Sequence, residues 1–120
     1  MTDSKLRRLR VWLNGEIVAS VDEATTPIDR GRGLLGRDTL AAGDGLLIRP
    51  CNSIHTCFMR FPIDIAFVAK DGHITKCVHS LRPFRAAWGG WHAHAALELS
   101  AGSLARSGAL PGQLLRFESM

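Results

Sequence analysis

Alternating apolar and polar residues predict a series of short β-strands, and two tight turns set their register. Asn14-Gly15 forms the first turn, because this dipeptide supplies the positive φ angles that a two-residue type I′ loop requires. In the hairpin that follows, Leu9, Val11 and Leu13 share one face of the first strand. We therefore expect these three side chains to be buried.

Asp71-Gly72 forms the second turn and predicts a hairpin between strands 63–70 and 73–80. Counting outward from the turn places Asp64 directly opposite His79, and residues in such positions share a face of the sheet. A surface ion pair is the commoner outcome of this arrangement. The functional alternative is a carboxylate that orients an imidazole for acid–base chemistry.

The rest of the chain is predicted to contain further strands and two short helices. Thr26-Pro27 is typical of a helix start, and this helix is expected to continue through Leu35 and stop at Gly36. Ser100 would cap a second helix, which Gly108 would end. The remaining predictions are strands at 46–49, 54–59, 96–99 and 114–118, a helix at 101–107, and a loop at 81–94.

These elements predict a mainly β (α+β) fold. We expect a small, barrel-like and mostly antiparallel sheet of six or seven strands with one or two short helices, since a sheet of this size commonly curls to hide its edges. The chain has 120 residues, which fits a single domain, 1–120.

Composition narrows the class of protein without identifying a function. Hydrophobic residues make up 46% of the chain and charged residues 22%, as in a typical globular protein. The net charge of +4 comes mainly from arginine. Such a charge permits weak binding to nucleic acid or anionic surfaces, although a solvated basic surface is the commoner explanation.

Cys51, Cys57 and Cys77 are odd in number and lack C-x-x-C spacing, which argues for reduced thiols rather than a disulfide framework. The basic N-terminal stretch has too short an apolar run for a signal peptide, and no later run approaches the length of a membrane span. We therefore expect a cytoplasmic protein that does not associate with membranes and is a monomer or weak oligomer.

The segment 53–64, SIHTCFMRFPID, places a histidine, a cysteine, an arginine and an aspartate among apolar residues. It resembles the signature of the DUF192 family (domain of unknown function 192), small bacterial and archaeal proteins whose biochemical role is not established. The resemblance covers about 25–117 and includes Asp71-Gly72, the LRPFR segment 81–85 and the segment 97–102. It implies a compact, mainly β domain with a barrel-like sheet, in agreement with the strand count.

The chain departs from the family pattern at three positions. Cys57 stands where an aromatic residue is usual, which argues against an essential role for this cysteine. Ser100 stands where many relatives have proline. Gln113 replaces an aspartate of the closing turn, so a site built around that carboxylate would be absent here.

The histidines and cysteines of the sequence could in principle form a metal site. His55 and Cys57 alternate on the predicted signature strand, as do Cys77 and His79 on a nearby strand, and two such pairs could hold zinc tetrahedrally. However, ligand pairs in structural zinc sites usually have closer to C-x-x-C spacing, and buried cysteines commonly act as small hydrophobic residues. We therefore predict no metal and no cofactor.

The sequence also contains residues that could catalyse a reaction. His55, Asp64 and Arg60 are candidate catalytic residues for a small hydrolase or lyase, since an imidazole and a carboxylate could act as acid and base. A Cys57 nucleophile is poorly supported, because its side chain and that of His55 would stand too far apart on one strand face. Serine-hydrolase, H-E-x-x-H and dinucleotide motifs are absent from the sequence. An enzyme is therefore the less favoured class.

Arginine and tryptophan residues suggest ligand binding as a further function. Arg60, Arg82, Arg85, Trp88 and Trp91 are candidate ligand-binding residues, because arginine binds carboxylate or phosphate and tryptophan stacks on flat groups. The two glycines between the tryptophans predict a mobile loop with at least one exposed ring. We expect a binding module for an unknown small molecule or protein partner, using the signature strand and this loop. Weak single-stranded nucleic-acid binding is an alternative, alongside the hydrolase or lyase.

Overall fold

The computed structural model describes residues 6–120, and within them the chain forms nine strands and two short helices. In chain order these are β1 (Arg7–Leu13), β2 (Glu16–Ala24), α1 (Pro27–Arg32), β3 (Asp44–Ile48), β4 (Ser53–His55), β5 (Ile63–Val68), β6 (Ile74–Leu81), β7 (Ala86–Trp88), β8 (Ala95–Ser100), α2 (Ser103–Ser107) and β9 (Leu115–Ser119). In this part of the chain, neither helix has the length and apolar character to cross a membrane.

Seven strands form one curled sheet in the order β6-β5-β8-β3-β2-β1-β9, and every pair except β2–β3 is antiparallel. The two edges of this sheet approach each other. The Ile74 N–H donates to the Gln113 carbonyl at 2.8 Å, and the Leu115 N–H donates to the Gly72 carbonyl at 2.9 Å. These bonds draw the edges together around an apolar core, and the predicted barrel-like, mainly β fold is confirmed.

β4 and β7 form a separate two-stranded ribbon. β7 lies inside the stretch 81–94, which was predicted to be a loop. The prediction failed because a three-residue strand between Pro83 and Gly89 is too short to show an alternating pattern.

The first hairpin has the predicted turn and the predicted buried face. Leu13 faces Glu16 across the turn, and a β-bulge then shifts the register between Val11 and Trp12. The side chains of Leu9, Val11 and Leu13 are at most 3% exposed. Turn chemistry and alternation were therefore sufficient to predict the turn and the buried face, but the expected pairing of Val11 with Val18 is wrong because the bulge pairs Val11 with Ala19.

Helix α1 begins as predicted but ends early. The Asp29 N–H donates to Thr26 Oγ1 at 3.1 Å, which caps the first turn. The helix ends at Arg32 because Gly33 adopts a φ of 49°, a region that glycine enters at little cost. The predicted continuation to Leu35 is wrong, and Leu34 instead turns into the core with 2% exposure.

The signature segment forms a strand for only three residues, so the predicted strand 54–59 is wrong beyond His55. A tight turn follows, in which Phe58 has a φ of 66° and the Met59 N–H donates to the Thr56 carbonyl at 3.1 Å. Consequently His55 and Cys57 do not alternate along one strand face.

The second hairpin keeps its predicted register only at its centre. Ala66 faces Cys77 as expected, but Val68 faces Ile74 rather than Thr75, because irregularities interrupt the pairing on both sides.

The predicted pair of Asp64 and His79 is wrong for the same reason. Ser80 has a φ of 49°, and its N–H donates to the Asp64 carboxylate at 2.8 Å. The second carboxylate oxygen accepts from the Leu104 N–H at 2.9 Å, near the start of α2. Asp64 is completely buried, whereas His79 is exposed. Asp64, and not Ser100, therefore supplies the capping acceptor for α2.

Two apolar layers lie on opposite faces of the central strands. The first layer fills the curl of the sheet and includes Leu47, Leu97 and Leu104. The second lies on the other face, beneath the β4–β7 ribbon and the turn after α1, and includes Leu34 and Phe67. Because both faces of β5 and β8 are covered, a polar residue on either strand is buried whichever way it points.

Candidate functional site

A cleft of about 350 Å³ opens on the side of the second apolar layer. One wall is α1 with the turn that follows it, and the other is the signature segment. Because α1 stops at Gly33, the chain bends around the cleft instead of covering it. The cleft is lined by Pro27, Arg30, Gly31, Arg32, Gly33, Leu34, Leu35, Ile48, Pro50, Cys51, Ser53, Ile54, His55, Met59 and Glu98.

The walls of the cleft are mostly apolar. Leu34, Ile48, Ile54 and Met59 line it, and all four belong to the second apolar layer. Ile54 points inward from β4, while Met59 returns to the layer after the Phe58 turn. The strained turn in the signature segment therefore helps to shape the cleft.

Glu98 is the buried acidic group of the cleft. On β8 its neighbours Leu97 and Leu99 pack into the first layer, so alternation turns Glu98 toward the second layer and the cleft. The residue is only 3% exposed, and no group among residues 6–120 donates a hydrogen bond to its carboxyl group, whose oxygen atoms border the open cleft. Burial raises the pKa of Glu98 to about 7. At neutral pH the group is therefore poised between its protonated and ionised forms.

The other buried polar side chains have partners. Asp64 binds two backbone N–H groups, as described above. Glu23 pairs with Arg49, and Thr56 exchanges hydrogen bonds with the loop 82–85. In the described part of the chain, Glu98 is thus the exception among the four buried polar side chains. An unpartnered buried carboxyl group is costly and needs an explanation.

Arg30 and Cys51 also line the cleft. Arg30 Nη1 donates to the Pro50 carbonyl at 3.2 Å, while its buried Nε has no partner within residues 6–120. The Cys51 thiol donates to the Ser53 carbonyl at 3.1 Å. Burial is the main cause that raises the pKa of Cys51, and the nearby Glu98 charge raises it further. This thiol is therefore neutral at pH 7 and is poorly suited to act as a nucleophile.

His55 lies at the exposed side of the cleft. Its Nδ1 accepts a hydrogen bond from the Cys57 N–H at 3.3 Å, which leaves Nε2 available to a ligand. In residues 6–120, no three side chains of His, Cys, Asp or Glu are grouped so that they could hold a metal ion. The set His55, Cys57, Cys77 and His79 therefore does not converge, because β4 ends at His55 while Cys77 packs against the first layer.

The candidate catalytic residues His55, Asp64 and Arg60 have separate contacts. Asp64 faces α2, on the opposite side of β5 from the cleft. Arg60 forms an ion pair with Asp38 at the surface. The structure thus brings only His55 of this set to the cleft.

Thr56 joins the signature segment to the LRPFR segment 81–85. Its hydroxyl donates to the Arg82 carbonyl at 2.5 Å and accepts from the Arg85 N–H at 2.9 Å. The Thr56 backbone adds two bonds, from its own N–H to the Arg85 carbonyl at 2.8 Å and from the Phe84 N–H to its carbonyl at 3.0 Å. Thr56 is completely buried, so it acts as a clamp between the signature turn and the loop 82–85.

This clamp presents an exposed ridge, formed by Phe58, Phe84, Arg82 and Arg85. The two phenylalanine rings meet edge to face with centroids 5.5 Å apart, and they are 76% and 59% exposed. Both residues have positive φ, 66° and 61°, a conformation that is uncommon for such side chains. Within residues 6–120 neither arginine forms an ion pair.

The two tryptophans lie at the other end of the ribbon. Trp88 belongs to β7 and is 47% exposed, whereas Trp91 is 87% exposed, so the expected exposed ring is present. Their rings contact each other with centroids 5.1 Å apart. Gly89 between them is buried against the Phe67 ring, and a Cβ atom there would overlap that ring. This glycine is required for packing, which the prediction of a mobile loop did not anticipate.

Sequence analysis missed Glu98, Arg30 and Cys51. Glu98 was overlooked because an acidic residue between two leucines is typical of a strand with one solvent-exposed face. A signal was nevertheless present, since the segment 97–102 carries part of the family resemblance although its glutamate had no assigned role.

Comparison with known proteins places the chain in a family. The model of the DUF192 family, described as "Uncharacterized ACR", matches residues 10–117. The chain therefore belongs to this family, and the match begins closer to the N-terminus than the expected region 25–117 because it includes the first hairpin. No curated protein matches the chain.

Two solved structures are similar over most of their length. A protein from Sinorhizobium meliloti, provisionally named a transcription regulator, has a TM-score of 0.85 and 25% identity, with 97% of this chain and 98% of that chain covered. A protein of unknown function from Novosphingobium aromaticivorans has a TM-score of 0.77 and 21% identity, with coverage of 91% and 83%. These similarities support the fold.

Proposed function

We propose that this member of the DUF192 family is a binding domain that takes a small molecule into the cleft between α1 and the signature segment. One observation carries the proposal: a buried carboxyl group without a protein partner borders an apolar cleft of about 350 Å³. Clefts with apolar walls, a few polar groups and a residue of perturbed pKa are the usual form of small-molecule sites.

The energetic cost of Glu98 supports this proposal. Burial of this carboxyl group carries a desolvation cost, which its raised pKa reflects, and an apolar residue at position 98 would avoid that cost. A ligand that donates hydrogen bonds to Glu98 would recover part of this free energy on binding. Glu98 therefore lowers the stability of the free protein but provides a hydrogen-bond acceptor for a ligand.

The position of the family signature also supports it. Ile54, His55 and Met59 of the signature line the cleft, and Thr56 fixes the turn that places them there. The neutral thiol of Cys51 and the separation of His55 from Asp64 offer no assembled catalytic set. Binding without reaction is therefore the function that this geometry favours.

A fluorescent probe and a blocking substitution test the proposal. The dye 8-anilinonaphthalene-1-sulfonate should bind the protein saturably at one site, because it combines apolar rings with an anion that suits the arginine side of the cleft. Gly31→Phe should abolish this binding, since Gly31 lines the cleft and has open space where a side chain would begin. Ala105→Phe is the matched control, because Ala105 is an exposed helical residue outside the cleft. Equal binding by the wild type and both variants would place the dye elsewhere and contradict the proposal.

A second candidate function is single-stranded nucleic-acid binding by the ridge. Exposed rings beside arginines are the components of such sites, and the provisional name of the Sinorhizobium protein points in the same direction. Trp88 and Trp91 would extend the stacking surface, whereas Arg60 is already paired with Asp38.

Fluorescence anisotropy with a labelled oligothymidine tests this second candidate. Binding should weaken steeply with salt and should fall when Phe58 and Phe84 are both changed to serine. Binding that is insensitive to salt, or unchanged in the double variant, would eliminate it.

A further inference from the structure

We infer that the ligand is a small zwitterion with an apolar body, whose ammonium group pairs with Glu98 and whose anionic group is held by Arg30 and Arg32. An amino acid with an apolar side chain is the simplest molecule of this class. The inference rests on the proposed function, because it assigns the ligand chemistry of the same cleft.

The Glu98 carboxyl group in the cleft requires a hydrogen-bond donor. This carboxyl group has no protein partner among the described residues, and it is the only acidic side chain that lines the cleft there. A ligand hydroxyl would provide a single hydrogen bond. An ammonium group would provide a charge-assisted bond and would neutralise the buried charge, so it is the better partner.

The cleft also contains cationic groups that can bind an anion. Arg30 and Arg32 line the cleft from α1, and neither has a carboxylate partner within residues 6–120. Arg30 uses one of its donors on the Pro50 carbonyl, which anchors the guanidinium group but leaves its charge uncompensated. A guanidinium group with free donors is well suited to a carboxylate.

Molecules with a single charge match the cleft less well. A simple carboxylic acid would leave Glu98 without a partner, and a simple amine would add a cation to a cleft that already contains two arginines. His55 and Cys51, the other titratable groups that line the cleft, supply no further negative charge at neutral pH. A zwitterion provides a partner both for Glu98 and for the arginines.

The size of the cleft restricts the body of the ligand. Its volume of about 350 Å³ is near the lower limit for small-molecule pockets. The lining side chains Leu34, Ile48, Ile54 and Met59 favour a compact apolar body on a ligand that also carries the two charged groups.

Three matched probes separate the contribution of the ammonium group from that of the carboxylate. L-leucine carries both charges, 4-methylpentanoate lacks the amine, and 3-methylbutylamine lacks the carboxylate. NMR titration of the ¹⁵N-labelled protein should show that leucine binds at the cleft and that each truncated probe binds about tenfold or more weakly, as expected for loss of a charge-assisted hydrogen bond.

Two variants identify which residue of the protein binds each charged group of the ligand. Glu98→Gln should weaken leucine and 3-methylbutylamine about tenfold but leave 4-methylpentanoate unchanged, and Arg32→Gln should weaken only the two probes that carry a carboxylate. Glu118→Gln changes an acidic residue outside the cleft and should affect none of the probes. This pattern of differences would not arise from a general loss of structure.

The outcomes distinguish failure of this inference from failure of the proposed function. If 4-methylpentanoate binds as tightly as leucine, or if none of the three probes binds while Gly31→Phe still abolishes dye binding, the zwitterion is wrong and the cleft remains a binding site. If dye binding also survives Gly31→Phe, the proposed function itself is wrong.

Discussion

Asp64 and Glu98 are buried carboxylic acids on adjacent strands of the same sheet, but their surroundings are opposite. Asp64 points into the first apolar layer and accepts two backbone hydrogen bonds, from the N–H groups of Ser80 and Leu104. Glu98 points into the second layer and borders a cleft, with no partner in the described part of the chain. The first carboxylate joins β6 and α2 to the sheet, whereas the second is left available to a ligand.

The comparison shows that burial alone does not identify a functional carboxylate. Both side chains are almost inaccessible, at 0% and 3% exposure. What distinguishes them is whether the protein itself supplies hydrogen-bond donors. The residue with a complete set of partners is structural, and the incomplete one is the candidate for function.

The largest expected effect is on the structural side of this comparison. Asp64→Ala should reduce the free energy of unfolding by about 3 kcal/mol or more, because two buried N–H groups would lose their acceptor. Urea unfolding would measure the loss. Asp44→Ala, at an exposed aspartate, is the control and should cost little. A loss below about 1 kcal/mol for Asp64→Ala would show that the two bonds do not anchor α2 and β6.

The stability of the protein should also depend on pH through Glu98. Its pKa is raised from 4.5 to about 7 in the folded protein, so between these values the folded state holds a proton that the unfolded state has lost. Stability from this group should therefore fall as pH rises through that window, by about 3 kcal/mol in total.

Glu98→Gln removes this titration. The difference in unfolding free energy between wild type and variant, measured by urea unfolding across the window, should shift in favour of the variant as pH increases. A difference that stays constant with pH would mean that Glu98 titrates normally in the folded protein.

These two acids also show what the sequence could and could not predict. The hairpin at Asn14-Gly15 was predictable because turn chemistry and alternation are local properties. Asp64 was expected to be a candidate catalytic residue, and Glu98 had no expected role. In the structure Asp64 binds backbone N–H groups, whereas Glu98 lines the cleft. The irregular register that brings Ser80 to Asp64, and the second apolar layer toward which Glu98 points, depend on long-range packing that no local pattern encodes.

A smaller loss of stability is expected at Thr56, a buried polar residue whose hydrogen-bond partners the protein itself supplies. Thr56→Val keeps the shape but removes the hydroxyl that binds Arg82 and Arg85, and should cost about 2 kcal/mol. Amide hydrogen exchange at Arg85 should become faster in the variant, because its N–H loses an acceptor. Thr39→Val, at an exposed threonine, serves as the control. Unchanged exchange at Arg85 would contradict the role of Thr56 as a clamp.

The smallest effect is expected at the cleft wall. Gly31→Ala should raise the free energy of unfolding by up to about 1 kcal/mol, because Gly31 is helical and has open space around its Cβ position. Gly108→Ala also meets open space but has a φ of 72°, so it should lower stability instead. Thermal unfolding of both variants would reveal the sign. If Gly31→Ala were destabilising, α1 would not border an open cleft in the manner described.

The most direct test of the contrast between the two acids is the titration of Glu98 itself in the free protein. The ¹³C resonance of its side-chain carboxyl, assigned by its disappearance in Glu98→Gln, can be followed by NMR as a function of pH. A buried carboxyl group without a partner should titrate near pH 7. A midpoint near the ordinary value of 4.5 would show that Glu98 is solvated or paired, and would contradict its assignment as the ligand-binding group of the cleft.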